Sequence, residues 1–222
     1  MSAPREAALN PGRIVVLNGP PRSGKTSIAT ALQAGQDGDW MSLGVDVHAR
    51  CVTPPRLRPG IGLRPGGERP DIETVLPRLF AALYDSVAAH SRLGFDVVVD
   101  VGHHDDYSRP LGILPDCARR LAGLPALLVG LHCPIEEIMS RRRQAEPGRE
   151  TLYVAAAPGE PPPAPVQRWQ QAVHRHRIYD LELDTAAATP AECAAAVLRR
   201  FDEDPPPSAF ARLAASVSVA KP

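Results

Sequence analysis

The chain has 222 residues, and its 25 Lys or Arg residues balance 25 Asp or Glu residues, so the formal net charge is zero. This balance gives no indication of a nucleic-acid partner or of an anionic membrane surface. Hydrophobic residues make up 44% of the chain and aromatic residues only 5%, so a sizeable core must be built mainly from aliphatic side chains.

The sequence shows no targeting signal and no disulfide pattern. Cys51, Cys117, Cys133 and Cys193 lack metal-ligand spacing, and free thiols in a reducing compartment are the simplest interpretation. The N-terminus lacks the apolar segment of a secretory signal, and no stretch approaches the roughly 18 apolar residues of a membrane span. We therefore expect a cytoplasmic protein with no membrane partner.

Predicted strands and helices alternate along the chain. Short apolar runs predict buried strands, and apolar residues at helical spacing predict helices. The predicted strands are 14–17, 41–46, 95–99, 126–133 and 179–184. The predicted helices are 27–33, 72–92, 111–121, 135–143, 166–176 and 191–201. This alternation is typical of a three-layer α/β domain with a parallel sheet.

The same pattern divides the chain into three parts. Residues 1–12 are predicted to be a loose leader, 13–201 the main domain, and 202–222 a proline-rich tail. Within the main domain, residues 52–70 are rich in Pro and Gly and show no hydrophobic periodicity. That composition predicts a loop or small insertion rather than core.

The stretch GPPRSGKT, residues 19–26, follows the first predicted strand and precedes a helix. It matches GxxxxGK[ST], the phosphate-binding P-loop pattern, and the strand–loop–helix context disfavours a chance match in a Gly/Pro-rich turn. Glycines let backbone N–H groups surround a phosphate, and the helix N-terminus adds a positive dipole end. The predicted phosphate-binding residues are Gly19, Arg22, Ser23, Gly24, Lys25, Thr26 and Ser27.

The P-loop predicts a nucleotide substrate. Lys25 can reach the β- and γ-phosphates of ATP, and the Thr26 hydroxyl can ligate Mg²⁺. The chain is short for an ATP-driven machine, and it lacks the NKxD motif with which switch GTPases read guanine. A compact kinase is the class that remains.

Two carboxylates follow predicted strands at the edge of the sheet where ligands gather. Asp46 ends the second strand and could accept the proton of an acceptor hydroxyl, although capping of the following helix is an equal alternative. Asp100 ends the VVVD run, the usual place of the Walker B carboxylate that holds Mg²⁺, with a cap or turn role as its alternative.

The HHDD sequence at 103–106 suggests a metal site at first sight. Adjacent imidazoles rarely point to one ion, and no spaced third ligand follows. We therefore predict a loop that faces solvent or substrate.

Arginines cluster after the helix at 135–143. Mobile arginines that close over ATP would neutralise charge on the transferred phosphoryl group and exclude water, whereas a solvated helix face is the alternative. The cluster consists of Arg141, Arg142, Arg143 and Arg149.

With these residues in place, the chain resembles the chloramphenicol phosphotransferase-like family of P-loop kinases over about residues 13–201. The resemblance is carried in order by IVVLNGPPRSGKTSIATALQ, WMSLGVD, GFDVVVD, LLVGLHCPIEEIMSRRR and AVHRHRIYDLELDT. The GVD and YDLELDT segments are the more specific ones. The resemblance implies a parallel sheet flanked by helices with a small lid at 141–165, and transfer of the γ-phosphate of ATP to a hydroxyl of an antibiotic.

The resemblance also implies roles for individual residues. Asp46 is the catalytic carboxylate, and Gly24, Lys25 and Thr26 hold the phosphates and Mg²⁺. Arg141 and Arg149 match the outer lid arginines. An inner arginine is lost near 145–146, and Arg143 could replace it.

Residues 47–73, the expected acceptor side, and 151–165 depart from the family pattern. The predicted acceptor is thus a hydroxyl-bearing antibiotic or related natural product, and not necessarily chloramphenicol. Two alternatives stay open. A polar, Arg-rich pocket around residues 47–73 would favour a kinase of primary metabolism. A non-catalytic nucleotide-binding regulator would bind ATP without turning it over.

Overall fold

The computed structural model describes residues 9–144 and 160–216. Within these residues, five parallel strands form one sheet in the order β2-β3-β1-β4-β5. The strands are β1 (Ile14–Asn18), β2 (Trp40–Gly44), β3 (Asp96–Val101), β4 (Ala126–His132) and β5 (Leu181–Asp184). The predicted α/β class and parallel sheet are confirmed.

Helices connect the strands and cover both faces of the sheet. Their bounds are α1 (Lys25–Ala34), α2 (Val45–Val47), α3 (Pro70–Glu73), α4 (Leu76–Arg92), α5 (Ile113–Arg120), α6 (Ile135–Arg143), α7 (Ala164–Val173), α8 (Pro190–Asp202) and α9 (Ala209–Ser216). None of the helices in the described ranges has the length and apolar character that a membrane crossing requires.

The core has two halves because alternate residues of each strand point to opposite faces. Ile14 and Val16 of β1 pack with residues of α4, α5 and α9 on one face. Val15 and Leu17 pack with residues of α1 and α8 on the other. Burial on both faces explains why β1, β3 and β4 read as nearly continuous apolar runs.

Residues 52–70 form turns without regular strands, as predicted, but part of the segment belongs to the core. Three short turns, His48–Val52, Pro55–Leu57 and Gly60–Gly62, lead the chain back toward α4. Ile61 and Leu63 are each 4% exposed and belong to the main core. The prediction that the segment lies outside the core was wrong at these two residues, because isolated apolar residues between turns are buried here without helical or strand periodicity.

The segment after α8 contains helix α9, which the sequence analysis did not predict. Asp180 Oδ1 accepts hydrogen bonds from the backbone N–H groups of Ser208 (2.6 Å) and Ala209 (2.8 Å), which anchors the start of this helix. Phe210 and Leu213 then bury their side chains in the main core beside α5. The boundary between main domain and tail at 201–202 stays a prediction.

Candidate active site

The P-loop lies where β1 ends and α1 begins. Gly24 adopts a left-handed conformation (φ 91°, ψ 5°) directly before the first helical residue, Lys25. A Cβ on Gly19 would lie 2.9 Å from the Leu131 carbonyl oxygen, so the loop passes against β4 too closely for a side chain. The two glycines of the motif are therefore required by the backbone path itself.

The Lys25 side chain lies beneath the loop. Its Nζ donates hydrogen bonds of 2.8 Å to the carbonyl oxygens of both Gly19 and Pro20. Burial lowers the pKa of Lys25 to about 8, while the charges of Asp100 and Asp46 act in the opposite direction. The two carbonyl oxygens thus hold the Lys25 ammonium group. A bound phosphate could replace them as its hydrogen-bond partner.

Thr26 and Asp100 meet across the cleft. Thr26 Oγ1 donates a hydrogen bond of 3.1 Å to Asp100 Oδ2. Burial raises the pKa of Asp100, whereas Lys25, the Thr26 hydroxyl and the backbone N–H of Val45 stabilise its charged form. Asp100 lies inside β3, one residue before the strand ends, so it is not a turn residue.

Asp46 lies in the short helix α2, two residues beyond the end of β2. The N-cap position of α2 is Gly44, and no side-chain capping hydrogen bond is made there, so Asp46 does not cap this helix. Its carboxylate is more than half exposed, pairs with Arg50 at 3.6 Å and lines the same cleft as Lys25. Both carboxylates predicted from strand ends therefore reach one site.

Arg141 of the arginine cluster contacts the P-loop side of the cleft. Its Nε pairs with Glu137 at 2.8 Å, and its Nη2 donates to the Thr185 carbonyl oxygen at 2.7 Å. Its Nη1 lies 3.4 Å from the Arg22 carbonyl oxygen. These contacts fix the guanidinium between the P-loop and the residue that follows β5.

The remaining arginines of the cluster differ from Arg141. Arg143 is exposed, as the solvated-face alternative expects, whereas Arg142 is buried and lines the cleft. Arg149, the lost arginine position near 145–146 and most of the predicted lid lie outside the described residues.

These groups line one large cleft of about 1040 Å³. P-loop, strand-end and helix α6 residues meet in it, with apolar side chains from α7 and arginines from the 50–64 segment. The predicted site residues that line it are Gly19, Arg22, Gly24, Lys25, Thr26, Ser27, Asp46, Asp100 and Arg141. Ser23 is instead fully buried beneath the loop, and its Oγ has no hydrogen-bond partner among the described residues.

The HHDD loop does not face solvent at its histidines, so that prediction is wrong for both. His103 is 2% exposed and its Nε2 lies 2.7 Å from the Tyr84 hydroxyl, and burial lowers its pKa to about 3. His104 is 7% exposed and its Nε2 lies 3.0 Å from the Leu63 carbonyl oxygen. Aromatic neighbours and internal partners make burial of two adjacent imidazoles favourable.

The closing HRIYDLELDT segment is hydrogen-bonded to the residue that precedes the P-loop. The Tyr179 hydroxyl lies 2.9 Å from Asn18 Nδ2, and Asn18 Oδ1 accepts a hydrogen bond of 2.7 Å from the His103 N–H. Asn18 is the last residue of β1 and directly precedes the P-loop. The sequence analysis missed this network, although the Tyr of the motif could have indicated it.

Gly44 and Thr185 are further site residues that sequence reasoning missed. A Cβ on Gly44 would overlap Asp100 Oδ1. The Thr185 carbonyl oxygen accepts a hydrogen bond from the Arg141 guanidinium. Each lies in a segment that carries the family resemblance, GVD and ELDT, so the signal was present in the sequence.

The site has the oxygen ligands that a magnesium ion prefers. Among residues 9–144 and 160–216, no group of three or more His, Cys, Asp or Glu side chains could hold a metal ion. Thr26 and Asp100 offer one hydroxyl and one carboxylate at adjacent positions. This set fits Mg²⁺, which usually keeps several waters and uses one or two carboxylates together with substrate phosphates.

The parallel sheet, the P-loop and the acidic groups beside it define a P-loop phosphotransferase of the kinase type. The chain belongs to the family described as "Chloramphenicol phosphotransferase-like protein", whose match spans residues 12–202. It is 28% identical over 224 residues to a Mycobacterium tuberculosis protein named "Putative O-phosphotransferase Rv2636", with 93% of this chain and 90% of that protein covered. The family predicted from the sequence is thus confirmed.

Solved structures show the same fold. A sugar kinase from Janibacter sp. HTCC2649 is 20% identical with a TM-score of 0.57, covering 88% of this chain and 97% of its own. The APS kinase CysC of Mycobacterium tuberculosis, in complex with AMPPNP and APS, is 18% identical with a TM-score of 0.54, covering 87% and 99%. A Deinococcus radiodurans tunicamycin resistance protein is 18% identical with a TM-score of 0.53, covering 86% and 95%.

Proposed function

We propose that this protein transfers the γ-phosphate of ATP to a hydroxyl group of a small molecule in a Mg²⁺-dependent reaction. The observation that carries the proposal is the placement of Asp46 in the same cleft as Lys25 and the Thr26–Asp100 pair. A carboxylate beside a triphosphate site is what a kinase needs to prepare an alcohol for attack.

Each residue has a separate task in this reaction. The loop N–H groups and Lys25 bind the triphosphate, and Arg141 offsets the charge on the phosphoryl group in the transition state. Asp46 accepts the proton of the acceptor hydroxyl and orients its oxygen. Thr26 and Asp100 would hold Mg²⁺, which supplies charge neutralisation at the phosphates. Arg149 is proposed to join Arg141 from the lid.

For the acceptor, we propose an antibiotic or related natural product whose phosphorylation inactivates it. The family description supports this class, and one protein of the same fold is a tunicamycin resistance protein. A kinase of a small metabolite is the second candidate. The arginines that line the acceptor side of the cleft favour it: Arg50, Arg58 and Arg64.

The test is ATP turnover by the purified protein against panels of hydroxyl-bearing antibiotics and of polar metabolites. We expect nucleotide binding that depends on Lys25 and acceptor-dependent ADP release with at least one compound. Tight nucleotide binding without turnover by any compound, with Lys25, Thr26 and Asp46 intact, would instead support a non-catalytic nucleotide-binding protein.

A further inference from the structure

We propose that Arg64 recognises an anionic group on the acceptor, so that the substrate is a hydroxyl compound that also carries a carboxylate, sulfate or phosphate. This inference rests on the proposed function and narrows its substrate class. Its starting point is the charge of the cleft, in which cationic side chains outnumber carboxylates among the described residues although the full chain has a formal net charge of zero. The cations that line it are Arg22, Lys25, Arg50, Arg58, Arg64, Arg141 and Arg142, against Asp46 and Asp100.

The cations on the acceptor side are not equivalent. Arg50 pairs with Asp46 at 3.6 Å. Arg58 donates from Nε to the Thr53 carbonyl oxygen at 3.1 Å and from Nη2 to the Arg50 carbonyl oxygen at 3.0 Å. Both guanidinium groups therefore have partners on their own segment, which distinguishes them from Arg64.

Arg64 makes no hydrogen bond or ion pair with any other residue in the described part of the chain, and its side chain is exposed in the cleft. A guanidinium group has five N–H donors in a planar fork that matches a carboxylate or phosphate. An exposed arginine on a surface is usually satisfied by water. This one lines the same cleft as the carboxylate of Asp46.

The backbone on both sides of Arg64 is fixed, so the side chain does not lie on a loose loop. Leu63 is 4% exposed, and its carbonyl oxygen lies 3.0 Å from His104 Nε2. The Gly66 N–H donates to the Asp106 carbonyl oxygen at 2.7 Å. The HHDD loop therefore has a structural task, because it holds the segment that presents Arg64.

The lining near the acceptor also contains an apolar part. Trp169 and Val166 of α7 line the cleft, and the Trp169 ring contacts His104 edge-on with ring centroids 5.2 Å apart. An acceptor with an apolar or ring-shaped body and one anionic group matches a lining that combines these side chains with a free guanidinium. A guanidinium that binds an anionic group on the acceptor would give specificity, because a site built to hydrogen-bond that group rejects analogues that lack it.

The test compares matched acids and neutral compounds on protein saturated with Mg-ADP, so that anions do not report on the P-loop. Mandelate with mandelamide, and glucuronate with glucose, are titrated by calorimetry into wild type, Arg64→Gln and Arg92→Gln. Arg92 is an exposed arginine at the end of α4 that does not line the cleft, so it is the matched control. Thermal melts verify that each variant is folded.

We expect the acid of at least one pair to bind about 10-fold more tightly than its neutral partner to wild type and Arg92→Gln, and this preference to disappear in Arg64→Gln. Equal binding of acids and neutral compounds to wild type, or an acid preference that survives in Arg64→Gln, overturns the inference while Mg-ADP binding leaves the proposed function intact. If Mg-ADP itself does not bind, the proposed function fails and the inference fails with it.

Discussion

Thr26 Oγ1 and Asp100 Oδ2 lie 3.1 Å apart, which connects the first turn of α1 to strand β3. Gly44 makes this contact possible, because the end of β2 passes so close to Asp100 that any Cβ at residue 44 would overlap the carboxylate. Gly44, the glycine of the GVD motif, thus leaves room for the Asp100 carboxylate. Asp46, the aspartate of the same motif, lines the cleft.

Replacement of Gly44 by Ala is expected to displace the Asp100 carboxylate from Thr26. The expected result is a rise of about 10-fold in the Mg²⁺ concentration needed for half-maximal turnover, since a misplaced metal ligand typically costs 10- to 100-fold in metal affinity. A Mg²⁺ titration of ATP turnover measures this directly.

Gly35→Ala is the matched control, because Gly35 has φ −71° and a Cβ there would meet its nearest atom at 3.4 Å. If Gly44→Ala does not fold, Asp100→Asn takes its place. An unchanged Mg²⁺ requirement in both Gly44→Ala and Asp100→Asn would remove Asp100 from the metal site.

The affinity for Mg-ATP is expected to fall as pH rises above about 8. The free protein holds Lys25 with a pKa lowered to about 8 by burial. The bound triphosphate favours the protonated form, so binding above this pH must take up a proton. Calorimetry from about pH 7 to about pH 9.5, in buffers of different ionisation enthalpy, measures both effects. Lys25→Met should bind weakly without this pH dependence, and constant wild-type affinity across the range would contradict the interpretation.

Arg141→Ala is expected to lower kcat/KM for ATP by about 10- to 100-fold, the range of a charged hydrogen bond in a site. Arg143→Ala, on the same helix but exposed, should change it less than about twofold. Steady-state kinetics of the two variants compare the contribution of Arg141 to kcat/KM with that of Arg143. Equal losses in both would mean that Arg143 shares the task.

Helix α9 is expected to be part of the folding unit. Phe210 is 6% exposed and packs in the main core, so Phe210→Ala should reduce the free energy of unfolding by about 3–5 kcal/mol. Leu93, which is 62% exposed, gives the control Leu93→Ala with a change within about 0.5 kcal/mol. Urea titration provides the measurement. A change below about 1 kcal/mol in Phe210→Ala would show that α9 is not required for stability.

The sheet and the P-loop could be predicted from the sequence because their signals are local. A buried parallel strand must be apolar throughout, and a loop that adopts a positive φ before a helix requires glycine, as at Gly24. Asp46 and Asp100 could be placed for a related reason, since both follow apolar runs that end at the same edge of the sheet.

Other parts of the fold depend on contacts between residues that are distant in the sequence. The Leu63 carbonyl oxygen lies 3.0 Å from Nε2 of His104, 41 residues later in the chain, and the Leu63 side chain is buried in the main core. Helix α9 buries Ala209, Phe210 and Leu213, but its anchor, Asp180, lies 29 residues before Ala209. The different tasks of Arg58 and Arg64 follow from backbone carbonyls that only the folded chain brings into reach.

The central claim is that Asp46 activates the acceptor hydroxyl in a site that binds nucleotide without it. The most direct measurement is the turnover of Asp46→Asn with the best acceptor, together with its affinity for Mg-ADP. Asp39→Asn, an exposed aspartate at the other end of β2, is the control. The account predicts a loss of about 10²–10⁴-fold in kcat for Asp46→Asn, with nucleotide affinity within about twofold of wild type. Full turnover by Asp46→Asn would contradict it.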